Sequence, residues 1–85
     1  MKQTMFLLAK ALLKMSTPDW TRTLKLSINA LHTAKTRGHL SPAIAGAIAE
    51  ELGEDVPKWV AIAAIEAEKE SECKDRVMKH LRLDK

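Results

Sequence analysis

Asn29 and Thr33 stand four residues apart, with Ile28 and His32 beside them, in a stretch that carries Lys25, Lys35, Arg37 and His39. Residues four apart share one face of a helix, so Asn29 and Thr33 are expected to project together. An asparagine amide can pair bidentately with adenine, and a threonine hydroxyl can give or take a hydrogen bond at a base edge. The Thr33 methyl or the Ile28 side chain can meet a thymine methyl. The surrounding cations suit phosphate oxygens, which position a protein on a duplex without reading it. The expected chemistry is therefore recognition of double-stranded DNA. Ile28, Asn29, His32 and Thr33 are the expected base-reading residues, and Thr17, Lys25, Lys35, Thr36, Arg37, His39 and Ser41 the expected phosphate contacts. The plain alternative is a solvated helix face. Against it, no Asp or Glu occurs from Trp20 to Ala49, thirty residues in an otherwise acid-rich chain.

The elements that must position these residues are legible from caps and spacing. Thr17 can cap a helix running from Pro18 to about Leu24, with Pro18 at the favoured first position and Asp19 in the first turn. Trp20, Thr21 and Leu24 would face inward. Lys25-Leu26-Ser27 then forms a corner, and Ser27 can cap a helix over 28–37 with Leu31 and Ala34 as its buried pair. Gly38 is the left-handed stop. Ahead of this unit, Met5, Phe6, Leu8, Ala9, Leu12 and Leu13 form the apolar stripe of a helix from Lys2 to Met15, with Lys10 and Lys14 opposite. Behind it, Ser41-Pro42 opens a fourth helix with Ile44, Ala45, Ile48, Ala49 and Leu52 inward and Gly53 at its end. Asp55 caps a fifth helix of about fifteen residues. Ser71 either opens a sixth, SECKDRVMKHLRL, or continues the fifth.

Residues 1–85 read as a single all-α domain, a compact five- to six-helix bundle, since 46% of the chain is apolar and no repeat or linker divides it. Residues 17–52 hold the two-helix motif and 55–82 the C-terminal helices. The fifth helix is apolar around most of its circumference, which suits a central helix or one shared with a second subunit. A dimer contact is expected at Trp59, Ile62, Ile65 and Val77. The net charge of +3 is unevenly spread. Residues 1–41 carry seven Lys or Arg against Asp19 alone, whereas residues 42–85 carry seven bases and ten acids. Such asymmetry suits one face for a polyanion and another for protein.

Cys73 is the single cysteine, expected half-buried, and it excludes an internal disulfide or a cysteine-based metal site. Lys10 and Lys14 interrupt the apolar N-terminal run, and no stretch reaches the roughly 20 apolar residues of a membrane span. A soluble, cytoplasmic bacterial protein without membrane contact is expected. His32, His39 and His80 have no acid placed to orient them. Glu66, Glu68 and Glu70 read as solvated helix-face acids, and no phosphate loop, zinc motif or nucleophile elbow is present. An enzyme is not expected, nor a metal or cofactor.

Thr17 to Leu52 resembles the helix-turn-helix of Xre- or Cro-type phage repressors. Thr17 matches the cap, Trp20 the inward hydrophobe, Thr21 the small contact residue, Leu24-Lys25-Leu26-Ser27 the corner and Leu31 the buried hydrophobe. The resemblance implies base reading by Ile28, Asn29 and Thr33. Lys25 stands where that family favours a glycine at positive φ, which implies either a left-handed lysine, at a cost of about 1 kcal/mol, or an altered corner. Over most of the chain the sequence is also similar to small proteins of filamentous, Pf-type inovirus prophages of Pseudomonas. The RGHLSP string and the pattern of Trp59, Ala63, Ala64 and Glu66 carry that likeness. It implies a lysogeny-maintenance or repressor-type regulator of transcription, expected to act as a homodimer. Two alternatives stand beside it: a module that binds another prophage or host protein, such as a regulator or recombinase, and an excisionase-like factor that bends DNA.

Overall fold

The computed structural model describes residues 3–81. Six helices follow in order: α1 (Gln3–Lys14), α2 (Thr17–Thr23), α3 (Ala30–Arg37), α4 (Pro42–Leu52), α5 (Val56–Glu66) and α6 (Glu72–His80). No strand occurs among the described residues, and the fold is the expected all-α bundle. The expected start at Lys2 and the end of the last helix beyond Leu81 lie outside the described residues.

Local chemistry sets most of the boundaries. Ser41, Asp55 and Ser71 each accept a hydrogen bond from the amide three residues on, at 3.4, 3.0 and 3.1 Å, satisfying first-turn donors that have no partner inside the helix. Proline occupies the first turn of α2, α4 and α5, where its missing N–H is no loss. Gly38 and Gly53 close α3 and α4 in the left-handed region, at φ 86° and 73°. One cap is displaced: Ser16 caps α2, accepting from the Asp19 amide at 3.4 Å, and Thr17 is already helical. Ser71 opens a separate helix, so α5 is eleven residues long rather than fifteen. Cys73 is exposed on α6.

α1, α4 and α5 pack on one another, α2 packs on α3, and α6 packs on α5. The core joins Leu7, Leu8 and Ala11 of α1 to Trp20, Leu31, Ala34, Leu40, Ala45, Ile48 and Ala63, and removing this apolar surface from water is the main force holding the helices together. Gly46 allows α4 and α5 to approach closely, since a Cβ there would lie 2.7 Å from Val60 Cγ2. The buried face of α1 differs from the expected stripe. It consists of Thr4, Leu7, Leu8 and Ala11, whereas Phe6 and Leu13 are 52% and 90% exposed. The reason lies at Thr4, whose hydroxyl and amide are both bound to the Glu66 carboxylate. Glu66 is accordingly buried rather than solvated.

The far end of α1 is joined to the end of α4 by polar contacts. Lys10 pairs with Glu54, and Lys14 Nζ donates to the Glu51 carbonyl at 2.7 Å. The hydrogen bond and charge of Lys10, aided by Trp59 and Lys58, hold the Glu54 carboxyl below its ordinary value of 4.5. The unfolded chain therefore takes up this proton first as the solution is acidified. The pair's contribution is complete above that ordinary value and is lost as pH falls through the lower, folded value. Urea midpoints measured for the wild type and Lys10→Met across this acidic range should converge at the low end, with the wild type more stable above it. A constant difference would show that the pair does not titrate with folding.

Candidate nucleic-acid interface

The corner between α2 and α3 has six residues, Leu24 to Asn29, rather than the expected three. It begins as a Schellman-type stop: the Leu26 amide donates to the Thr21 carbonyl at 2.8 Å and the Lys25 amide to the Arg22 carbonyl at 3.3 Å. This geometry places Lys25 at φ 56°, the one non-glycine residue with positive φ among those described. A lysine thus occupies the conformation that glycine adopts most readily, at about 1–2 kcal/mol. The chain then makes a single turn, with the Ala30 amide donating to the Ser27 carbonyl at 3.1 Å. The expected Ser27 cap is absent. α3 starts at Ala30 with Asn29 in the cap position, and no side-chain bond closes that end. Ile28 and Asn29 therefore precede the helix, while His32 and Thr33 lie within it.

The remainder of α3 follows the expected phase. Leu31 and Ala34 are buried, which leaves Asn29, His32, Thr33, Lys35, Thr36 and Arg37 exposed. Ile28 is 81% exposed, although each of the other isoleucines is buried or half-buried. It borders a shallow cleft of about 340 Å³ lined also by Pro18, Thr21, Arg22 and Leu26. The Thr36 hydroxyl is turned back to the His32 carbonyl at 3.2 Å. His39 is half-buried, and its Nδ1 is enclosed with no hydrogen-bond partner among the described residues.

Charge pairing separates the basic residues of the N-terminal half into two groups. Lys10 and Lys14 are bound to the end of α4, and Arg22 is paired with Asp19 one turn away. Lys25, Lys35 and Arg37 have no acidic partner among the described residues and are exposed around α3. The start of α2 is less suited to an anion than expected, because Asp19 already places a carboxylate there. The start of α4 has no acid in its first turn, although Ser41 Oγ takes up the Ile44 amide.

The residues expected at a dimer contact are dispersed. Ile62 is 2% exposed and belongs to the chain's own interior, Trp59 and Ile65 are half-buried, and Val77 on α6 is exposed. Among the described residues, no group of three or more His, Cys, Asp or Glu converges as a metal site, and no helix is long and apolar enough to cross a membrane. Ser16 and Thr4 carry roles that the sequence does not assign them, and Glu66 is buried where a solvated acid is expected. Ser16 could have been found from the S-x-x-D spacing to Asp19, a capping pattern, whereas Thr4 and Glu66 meet across 62 positions with no local signal.

Lys25→Gly should raise stability by about 1 kcal/mol, because glycine enters the left-handed region without a Cβ clash, less its greater entropy when unfolded. A higher urea midpoint at unchanged slope is the expected outcome, and a lower one would show that the lysine side chain contributes contacts of its own. Comparison with known protein families, curated proteins and solved structures returns no match.

Proposed function

We propose that this chain is a sequence-specific DNA-binding regulator, a helix-turn-helix protein in which α2 supports the corner and the segment from Ile28 to Arg37 enters the major groove. The observation that carries the proposal is the placement of Lys25, Lys35 and Arg37. Among the described N-terminal bases they alone have neither an acidic partner nor a carbonyl that holds them, and they surround the exposed Ile28, Asn29, His32 and Thr33. Cations paired with acids have little to offer a polyanion, whereas unpaired ones release counterions from it on binding. Base reading falls to Asn29, His32 and Thr33, with Ile28 at the leading edge. Phosphate contact falls to the three cations, to His39, and to the start of α4 at Ser41, whereas the expected contact at Thr36 has its hydroxyl proton turned to the His32 carbonyl. Thr17 is a peripheral contact in this reading, beside the Asp19 carboxylate.

A prophage regulator of lysogeny and transcription is the biological role proposed, on the strength of the resemblance carried by RGHLSP and by Trp59, Ala63, Ala64 and Glu66. The role requires binding and no catalysis. A twofold pair would read two half-sites, with Val77 and the half-buried Trp59 and Ile65 available to its contact and Ile62 committed to the core. A second reading, contact with another protein, is favoured by the exposed Phe6 and Leu13 on α1. That face is separate from α3, so the two readings are separable by mutation.

A salt titration of binding to fluorescent duplexes from the chain's own genomic neighbourhood, beside scrambled duplexes, tests the proposal. Three cations per protomer, each neutralising one phosphate, predict a slope of log K against log salt of roughly −3 for each protomer bound. Lys35→Glu with Arg37→Glu should reduce affinity to the nonspecific range, about 10⁻⁴ M or weaker, without changing the thermal midpoint substantially. Asn29→Ala should cost about 1–3 kcal/mol of discrimination at one base position. Wild-type affinity no tighter than about 10⁻⁴ M for every duplex would overturn the DNA reading.

A further inference from the structure

The loop from Gly38 to Ser41 connects the basic end of α3 to the start of α4, and it is held from below by two residues distant in sequence. Thr4 on α1 is fully buried. Its amide donates to Glu66 Oε1 and Oε2 at 3.2 and 3.3 Å, and its hydroxyl donates to Oε1 at 2.5 Å. The same hydroxyl oxygen accepts the Leu40 amide at 3.1 Å. A threonine hydroxyl has one proton and two lone pairs. With its proton directed at the carboxylate, it can meet the loop only as an acceptor, which is what a backbone N–H requires. Glu66 therefore fixes the direction of the Thr4 hydroxyl, and Thr4 fixes the height of the loop.

Leu40 is anchored twice, by this bond and by a side chain that is itself fully buried. Between the Gly38 N–H···O bond to Ala34 that ends α3 and the Ser41 cap that opens α4, the Leu40–Thr4 hydrogen bond joins the loop to the bundle among the described residues. Arg37, His39 and Ser41 flank the anchored position. A loop already ordered before binding loses less freedom when a ligand engages it.

We infer that Thr4 and Glu66 are positioning residues for phosphate contact by the α3–α4 loop, coupling the end of α5 to the surface that meets DNA. The inference rests on the DNA-binding reading and extends it to two residues remote from the groove. It assigns the loop its own share of the electrostatic binding, distinct from that of Lys25 and Lys35.

The test compares wild type, Thr4→Val and Thr4→Ser on one selected duplex, at a temperature where near-ultraviolet circular dichroism shows each to be folded. Thr4→Val retains the shape and removes the hydroxyl. It should weaken binding about tenfold, the scale of one lost hydrogen bond, and should reduce the salt slope by about one phosphate contact. Thr4→Ser should restore both. A Thr4→Val protein that melts earlier yet binds with unchanged affinity and slope would overturn the inference while leaving the DNA reading intact. Wild-type protein that selects no duplex would remove both. If Thr4→Val does not fold, Thr4→Ala takes its place: a reduced salt slope supports the inference, and unchanged slope and affinity overturn it.

Discussion

The indole of Trp20 is the constraint around which the molecule is arranged. It is fully buried, and an indole carries one N–H that must find an acceptor when it leaves water. The acceptor is the Ala11 carbonyl on α1, at 2.7 Å, which also takes the Met15 amide at 3.1 Å. Ala11 begins the last four residues of α1, whose carbonyls have no partner within the helix itself. One contact therefore satisfies the buried donor and ties the end of one helix to the middle of the next. α2 is too short to be stable alone, and Trp20 gives it a fixed seat. The Schellman-type stop at Thr21 and Arg22 then places the start of α3, and Leu31 and Ala34 can complete the core only from there.

Burial of that pair leaves the rest of α3 to solvent, and charge determines what such a surface can do. The basic character of the N-terminal half is not uniform once the chain is folded. Where α1 meets the end of α4, Lys10 and Lys14 face Glu54 and a helix-end carbonyl, an arrangement that also suits the negative end of the α4 dipole. The exposed bases around α3 have no acidic partner among the described residues, and the chain holds no acid from Trp20 to Ala49. Folding thus pairs Lys10 with an acid, holds Lys14 on a carbonyl, and leaves Lys25, Lys35 and Arg37 without acidic partners among the described residues. Exposed pairs of this kind add little stability. Their larger consequence is to leave the unpaired positive charge around α3 and its corner.

What was legible in the sequence was local. The caps at Ser41, Asp55 and Ser71 and the glycine stops at 38 and 53 are interactions between residues three or four apart, and each lies where the residue types place it. The inward stripe of α4 was equally plain, because its large apolar residues, Ile44, Ile48 and Leu52, recur every four residues among small ones. α1 was misread because Met5 to Leu13 is apolar on nearly every side, and apolar spacing alone cannot choose a phase there. The choice was made by Thr4, a polar residue in the core, and its partner Glu66 lies 62 positions away. Glu66 itself stood among Glu68 and Glu70 with nothing to mark it as the one turned inward. In the candidate site, the outward residues were found because Leu31 and Ala34 set the helix phase. The helix start was missed because Ser27 and Asn29 both suit a cap, and the turn through Ser27 to Ala30 depends on where Trp20 and Leu31 must pack.

Departures from local preference include the exposed Phe6 and Leu13 of α1 and the enclosed His39 Nδ1, and three more fall together at the α2–α3 corner. Lys25 adopts the conformation suited to glycine, Ile28 stands in water, and Asn29 occupies a cap position without forming a cap bond. Each departure costs folding free energy, and three within five residues are hard to ascribe to drift in a bundle whose other turns are conventional. Replacing Lys25 by glycine or Ile28 by a polar residue lies within a single substitution of a more stable corner. A corner that retains an unpaired cation and an exposed aliphatic side chain gains nothing from them as an isolated monomer. Strain and exposure of this kind persist where a surface is used rather than where it is merely present. Backbone strain and unpaired charge meet at Lys25, which supports the proposal that the α2–α3 corner belongs to the binding surface.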